Sequence, residues 1–213
     1  MTEKSANGFA GLFVLLIVTG ILGYLFFMHH EDSISLSAPH AVQAETTTFA
    51  ESGHFWQMDP MWRDMPMNGT DYTLGDSGCL VCCIGAVIEL QKLPVQVRTD
   101  PASMNVFLGA HSVYDTEANI RWAPLEEALS VEAVCLDAGE FSPDEPARIL
   151  AEGCYPIVRV IRPETGTGHF VLITDYRDGI YYCMDPALKD GKDIPLSHYG
   201  NRIYAIRYLM EKS

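Results

Sequence analysis

Residues 168–186 read GHFVLITDYRDGIYYCMDP. Two runs rich in Val, Ile and Tyr flank the Arg-Asp-Gly triplet at 177–179, and runs joined in this way are typical of a β-hairpin. We therefore predict strands over His169–Asp175 and Ile180–Met184. Antiparallel pairing across the turn would bring the start of the first strand close to the end of the second.

The open end of this hairpin carries a histidine and a carboxylate. His169 begins the first strand after a loop of small residues, and Asp185 follows the second strand. A carboxylate beside an imidazole fixes the orientation and tautomer of the ring, as acid–base catalysis requires. Asp175 lies at the far end of the strand that His169 begins, so it is a poorer partner. A plain turn at Asp185-Pro186 remains the alternative interpretation.

A cysteine begins the second segment of interest. Cys79 follows Asp76-Ser77-Gly78 and opens a mostly apolar run that ends at Gln91, which predicts a buried helix. Asp76 and Ser77 are candidate N-cap residues. Because a helix N-terminus favours an anion, it lowers the pKa of a thiol there. Cys79 is thus a candidate nucleophile with His169 as its base, although a buried structural cysteine is the alternative.

The remaining patterns place helices before strands. Further helices are predicted from Thr99-Asp100-Pro101, over Pro124–Leu129, and from a capping box at Ser142–Glu145 to Gly153. Further strands are predicted over Pro156–Ile161 and Arg202–Met210. Helices followed by a strand meander indicate the α+β class.

The composition excludes several functions. The chain has 213 residues, of which 48% are apolar, so one domain with a sizeable core is expected. A net charge of −14 repels phosphate backbones and argues against nucleic-acid binding. The six cysteines are too few for a disulfide scaffold and lack paired metal-ligand spacing, so we expect neither a metal nor another cofactor.

The N-terminal part of the chain contains a long uncharged apolar stretch, residues 8–28. It is long enough to cross a bilayer core of about 30 Å and longer than the apolar part of a cleavable signal peptide. We predict a cytoplasmic segment over 1–7, a transmembrane signal anchor over 8–28, a linker over 29–51 and a folded domain over 52–213. Lys4 precedes the apolar segment, which favours a domain outside the cytoplasm.

Four short blocks in this order resemble the C39-like cysteine peptidases, which have a papain-like fold. The blocks are FWQMDPMW (55–62), LGDSGC (74–79), GHFVLI (168–173) and MDP (184–186). The resemblance implies a cysteine peptidase without a cofactor, with a peptide or protein as substrate, and the apolar segment 8–28 would anchor it in a membrane. It implies Cys79 as nucleophile and His169 as base. It also implies Asp185 as the orienting carboxylate and Gln57 as a donor to the oxyanion.

The sequence departs from this family after Cys79. Members usually continue with a small polar run such as Gly-Pro-Thr, whereas this chain has Leu-Val-Cys-Cys at 80–83, whose apolar surroundings would raise the thiol pKa. A non-catalytic papain-like binding module at the cell surface is one alternative, and a Cys-His amidase acting on cell-wall peptides is another. Cys79 and Cys82 also have the C-x-x-C spacing of dithiol oxidoreductases, but no βαβ pattern precedes them.

Overall fold

The computed structural model describes residues 33–36 and 53–212. The predicted cytoplasmic segment 1–7, the transmembrane segment 8–28 and most of the linker 29–51 lie outside the described residues. Among the residues that are described, no helix combines the length and the apolar character needed to span a bilayer.

Helices precede most of the strands in the described part of the chain. They are α1 (Leu74–Ser77), α2 (Cys79–Gln91), α3 (Pro101–Ala110), α4 (Trp122–Leu129) and α5 (Glu145–Ala151). Three predicted helices are confirmed. They are the helix from Cys79 to Gln91 (α2), the helix that opens at Thr99-Asp100-Pro101 (α3) and the helix over Pro124–Leu129 (α4). In α3, the Asp100 side chain caps the first turn by accepting the N–H of Ser103.

The start of α2 differs from the prediction. Asp76 and Ser77 do not cap this helix, because both lie inside the one-turn helix α1 that immediately precedes it. Thr73 and Asp76 form a reciprocal capping box at the start of α1, and Gly78 is the N-cap residue of α2. A Cβ atom on Gly78 would lie 2.4 Å from the carbonyl oxygen of Leu74. The junction that presents Cys79 therefore requires glycine.

The start of α5 also differs from the prediction. The helix begins at Glu145 rather than at Pro143, and no side chain caps it. The Ser142 carbonyl instead accepts the Glu145 N–H at 3.1 Å and closes a turn before the helix. The predicted capping box therefore does not form.

The strands build a six-stranded antiparallel sheet in the order β2-β8-β3-β4-β5-β6. Their bounds are β2 (Val131–Asp137), β3 (Ile157–Ile161), β4 (Gly168–Arg177), β5 (Ile180–Met184), β6 (Ile194–Pro195) and β8 (Ala205–Glu211). A separate two-stranded sheet pairs β1 (Ile34–Ser35) with β7 (Arg202–Ile203). Mixed helices and antiparallel strands confirm the α+β class.

Two features of the sheet were not predicted. β2 interrupts the helical half of the chain and pairs with β8 along its whole length. The predicted strand Arg202–Met210 is divided into β7 and β8 at Tyr204, whose N–H donates to the Arg159 carbonyl at 2.9 Å. The pairing of β2 depends on a partner more than sixty residues away, which local sequence patterns do not reveal.

The sheet carries one hydrophobic cluster on each face. On the first face α2 buries every residue of Leu80–Ile88 against Leu172 and Met184. Burial on all sides explains why this helix is apolar throughout rather than amphipathic. The second face carries Val171 and Ile173 and is covered in part by residues of α5.

Four residues of the predicted linker belong to the folded domain. Ile34 and Ser35 pair with β7, and the Leu36 N–H donates to the Asn201 carbonyl at 2.8 Å. The Leu36 side chain is only 5% exposed and lies in the second hydrophobic cluster. The domain boundary at residue 52 therefore omits a short segment that packs on the sheet, because its few apolar residues show no period in the sequence.

Candidate functional site

The predicted hairpin of β4 and β5 is present and contains an irregularity. Asp178 and Gly179 form a two-residue turn with positive φ angles of 53° and 78°, as a type I′ hairpin requires. The pairs Arg177↔Ile180 and Asp175↔Tyr182 follow one register, whereas Ile173↔Cys183 and Leu172↔Met184 follow another. Thr174 is therefore the extra residue of a β-bulge.

This bulge determines which side chains meet at the open end of the hairpin. Continuing the register beyond Met184 places Asp185 opposite Val171, and Val171 lies on the same face of β4 as His169. Without the extra residue, Asp185 would lie opposite Leu172 and point to the other face. The bulge thus brings the carboxylate to the histidine.

His169 and Asp185 form a buried pair, with side chains 1% and 4% exposed. His169 Nε2 lies 2.6 Å from Asp185 Oδ1. The same oxygen accepts the Ala187 N–H at 2.8 Å, and Oδ2 accepts the Tyr199 hydroxyl at 2.5 Å. Both carboxylate oxygens are thus hydrogen-bonded, as a buried carboxylate requires.

These contacts set the ionisation of the pair. Burial opposes the charge of Asp185, but the bonds from His169, Tyr199 and the Ala187 N–H outweigh it and lower the pKa of the carboxyl. Burial likewise opposes protonation of His169, but the bond to Asp185 and the nearby Cys79 thiol raise the imidazole pKa. Tyr199 was not found from the sequence, because nothing local marks a tyrosine in the 3₁₀ turn 196–199 as a partner of Asp185.

Cys79 is the first residue of α2 and is partly exposed. Burial raises the pKa of its thiol, as the apolar sequence after it suggested, but a hydrogen bond with His169 opposes this effect. The positive charge of His169, the Phe170 N–H and the charge of Arg162 act in the same direction. The pKa of Cys79 therefore lies below its ordinary value.

The other five cysteines differ from Cys79. Burial raises the pKa of each of them: Cys82, Cys83, Cys135, Cys154 and Cys183. All six are free thiols in the part of the chain that the structure describes. Within residues 33–36 and 53–212, no group of three or more His, Cys, Asp or Glu side chains is arranged to hold a metal ion.

Arg162 is a further residue at the site that the sequence analysis missed. Its Nη2 atom lies 3.0 Å from His169 Nδ1, the ring nitrogen that does not contact Asp185. Arg162 follows β3, and His169 pairs with Val160 near the end of that strand. The hairpin between β3 and β4 therefore brings the arginine to the histidine, a contact with no motif of its own.

Gln57 lies between the segment before Cys79 and the residue after Asp185. Its side chain is 4% exposed, and its Nε2 donates to the Gly75 carbonyl at 2.7 Å. Its backbone N–H donates to the Pro186 carbonyl at 2.8 Å. One of the two Nε2 hydrogens is thus used within the protein, and the amide is held rigidly between the two segments that carry Cys79 and Asp185.

A cleft of about 450 Å³ opens beside Cys79. Apolar side chains including Leu80 and Trp122 form part of its wall. Residues of the sheet that line it are Arg159, Gly168, Phe170 and Arg207, and acidic residues that line it are Asp76 and Glu117. The cleft therefore places a partly apolar wall beside the partly exposed thiol of Cys79.

Comparison with known proteins shows a structural likeness but no related sequence. No protein-family model matches this sequence, and no curated protein matches it. A solved structure described as a "putative C39-like peptidase" from Bacillus anthracis is similar to this chain with a TM-score of 0.48 and 14% sequence identity. The similarity covers 76% of this chain and 97% of that one.

Proposed function

We propose that this protein is a papain-like cysteine hydrolase that cleaves peptide bonds. The observation that carries the proposal is the series of contacts from the Cys79 thiol through His169 to Asp185, beside an open cleft. Cys79 is the only one of the six cysteines with a lowered pKa, and it lies at a helix N-terminus. A nucleophile, a base and an orienting carboxylate are the parts that this chemistry requires.

The first step forms a covalent intermediate. The Cys79 proton moves to His169 Nδ1, since Nε2 faces Asp185, and the thiolate attacks the peptide carbonyl carbon. The carbonyl electrons move onto its oxygen, where the Cys79 N–H and the second Nε2 hydrogen of Gln57 act as donors. The protonated imidazole then gives its proton to the leaving amine as the C–N bond breaks.

The second step releases the acid product. Neutral His169 accepts a proton from a water molecule, whose oxygen attacks the thioester carbon. The carbonyl double bond re-forms as the C–S bond breaks, the electron pair of that bond leaves with the Cys79 sulfur, and the protonated imidazole returns its proton to this sulfur. Asp185 stabilises the imidazolium at each stage while Tyr199 and the Ala187 N–H keep the carboxylate ionised.

The proposal includes a location. The apolar segment 8–28 supports a single membrane anchor with the catalytic domain outside the cytoplasm. An amidase acting on cell-wall peptides would use the same thiol chemistry, so the substrate distinguishes the two enzymes. A binding module would keep the fold without a reactive thiol.

Labelling of full-length protein with iodoacetamide across a pH series, followed by peptide mapping, tests the proposal. We expect selective modification of Cys79 below about pH 7, where an ordinary thiol is protonated, and loss of this selectivity in His169→Ala. Exposed Cys135 is the internal reference. Slow labelling of Cys79 with an ordinary thiol profile would exclude the enzyme and favour the binding module.

Hydrolysis of a peptide library by full-length protein completes the test. Cys79→Ala should abolish hydrolysis, whereas Cys82→Ala, one helical turn further along α2, should retain it. A dithiol oxidoreductase would require both cysteines. Loss of activity in Cys82→Ala without loss of stability would therefore contradict the hydrolase mechanism.

A further inference from the structure

The contact between Arg162 and His169 favours one protonation state of the imidazole. A guanidinium group can only donate hydrogen bonds, so His169 Nδ1, 3.0 Å from Arg162 Nη2, acts as an acceptor. The ring hydrogen is then on Nε2, directed to Asp185 at 2.6 Å. In this arrangement the imidazole is neutral and both of its nitrogens are hydrogen-bonded.

The same lone pair is needed for catalysis. Because Nε2 faces Asp185, Nδ1 is the nitrogen that must accept the Cys79 proton. It cannot accept this proton and the Arg162 hydrogen bond at once. Asp185 and Cys79 favour the imidazolium, whereas Arg162 favours the neutral ring.

We propose that Arg162 is a gate on His169 that a carboxylate of the substrate opens. In the substrate-free site the guanidinium competes with the Cys79 proton for Nδ1 and thereby lowers the fraction of molecules in which the thiol and the imidazole form an ion pair. A carboxylate group near the scissile bond binds the guanidinium and draws it away, and the Cys79 proton then moves from Sγ to Nδ1. This inference rests on the proposed hydrolase function and names its preferred substrates, which are peptides with an acidic group beside the cleavage site.

The hydrogen bond of Arg162, rather than its charge, is expected to dominate. A thiolate–imidazolium pair has no net charge, so a nearby guanidinium attracts one member and repels the other, and these effects largely cancel. The hydrogen bond from Arg162 to His169 Nδ1 must break before the ion pair forms. The free energy of this bond is lost unless the guanidinium finds a new acceptor. A carboxylate is a strong replacement, because it can accept two parallel bonds from the guanidinium.

The surroundings of Arg162 permit this exchange. Its backbone is held by two hydrogen bonds, from its N–H to the Thr167 carbonyl at 2.9 Å and from the Gly166 N–H to its own carbonyl at 2.8 Å. Its side chain is half-buried, and the loop 163–168 beside it is exposed. The guanidinium can therefore turn towards solvent while the hairpin keeps its shape.

The charges of the adjacent cleft favour an anionic group on the sheet side. Arg159 and Arg207 line this side. Arg207 is paired with Asp137 at 2.7 Å, and the Arg159 guanidinium lies 3.2 Å from the position of a Cβ atom on Gly168, the neighbour of His169. Asp76 and Glu117 line the cleft as well. Asp76 comes from α1, where its carboxylate accepts bonds from Thr73. An acidic side chain is thus expected to lie towards the sheet and away from α1.

The test compares two alkylating reagents of nearly equal size, neutral iodoacetamide and anionic iodoacetate, on full-length protein. Cys135 provides the reference rate in each sample. In the wild type, we expect Cys79 to prefer iodoacetate relative to Cys135. In Arg162→Gln, this preference should fall about tenfold, while iodoacetamide labelling of Cys79 at about pH 6 should rise about tenfold, because Nδ1 is free. Arg98→Gln, an exposed arginine outside the cleft, should change neither rate.

Each other outcome overturns the gate. A fall in iodoacetamide labelling at acidic pH in Arg162→Gln would show that the arginine acts through its charge on the thiolate alone. Unchanged rates would show that it has no influence. Arg162→Met also removes the guanidinium but leaves an apolar side chain, and it should behave like Arg162→Gln. Cys82 and Cys83 are buried, so labelling of either one reports unfolding. In the double variant Arg162→Gln with His169→Ala, the rise in iodoacetamide labelling of Cys79 should disappear.

These results are distinguishable from failure of the proposed function. If the rate of Cys79 labelling is the same in the wild type and in His169→Ala, the hydrolase proposal itself fails. If that dependence is present but Arg162→Gln has no effect, only the gate fails.

Discussion

The orientation of the His169 ring depends on the buried carboxylate of Asp185. Its three hydrogen-bond donors are the His169 ring, the Tyr199 hydroxyl and the Ala187 N–H. Tyr199 is buried, and its pKa is raised by burial and then by the adjacent carboxylate, so the hydroxyl keeps its hydrogen. Tyr199 therefore acts as a donor that maintains the charge of Asp185.

Tyr199→Phe should destabilise the protein by about 1–3 kcal/mol at pH 7, because it leaves a buried carboxylate oxygen without a partner. The depressed pKa of Asp185 contributes stability above the ordinary carboxyl pKa, and this contribution is lost as the pH falls through the folded-state value. The variant weakens that contribution, so its destabilisation should shrink at about pH 3. Urea unfolding at both pH values measures the difference.

Tyr181→Phe is the matched control for this variant. Tyr181 lies in the same hydrophobic cluster as Tyr199 but is not among the donors to Asp185. Its substitution should have the same effect on stability at both pH values. An equal loss in Tyr199→Phe at acidic and neutral pH would show that the hydroxyl does not act through the carboxylate charge.

The hairpin of β4 and β5 is the element that assembles the site. Along β5, Tyr181 and Cys183 both face the second cluster, so alternation is regular. Along β4, alternation breaks at the bulge residue Thr174. The Thr174 hydroxyl donates at 2.7 Å to Asp193 Oδ2 and thereby ties the bulge to the loop that follows β5. A single extra residue thus selects the face on which Asp185 lies.

Deleting Thr174 should remove the selective reactivity of Cys79, because the restored alternation turns Asp185 away from His169. Thr174→Val is the matched variant, since it keeps the extra residue and loses only the hydroxyl bonds. It should cost about 1–2 kcal/mol of stability and retain the reactivity. The pH series of iodoacetamide labelling reports on both proteins. Equal loss of reactivity in the two would contradict the role of the register.

At the scale of the whole domain, the short strand β1 closes the second face of the sheet. Leu36 follows β1 directly and is buried in the second hydrophobic cluster, to which Ile203 of β7 also belongs. Burial of one leucine side chain stabilises a domain by about 1.5–3 kcal/mol. Residues 34–36 therefore contribute to the stability of the domain.

Leu36→Ala should lower the free energy of unfolding by about 2–3 kcal/mol, through lost burial and the cavity left behind. Ser35→Ala, at the exposed neighbouring position, should change it by less than about 0.5 kcal/mol. Urea unfolding of the full-length variants, followed by tryptophan fluorescence, measures both. A Leu36→Ala variant as stable as Ser35→Ala would show that β1 is not part of the cooperative unit.

Elements with local signals were predictable from the amino-acid sequence. The apolar run that begins at Cys79 predicts α2 because a helix buried on all sides needs no polar face. The Asp178-Gly179 pair predicts the hairpin because both residues tolerate positive φ. Pairing across that turn predicts that His169 and Asp185 lie near each other, whereas the bulge at Thr174 decides that both side chains lie on one face.

Features that depend on distant contacts became visible in the folded domain. The bulge at Thr174, the Tyr199 bond to Asp185 and the Arg162 bond to His169 have no local sequence signal. The pairing of β2 and of β1 likewise depends on strands far along the chain. The physical reason is that local propensity sets whether a segment forms a helix or a turn, whereas register and side-chain partners follow from packing between separate segments.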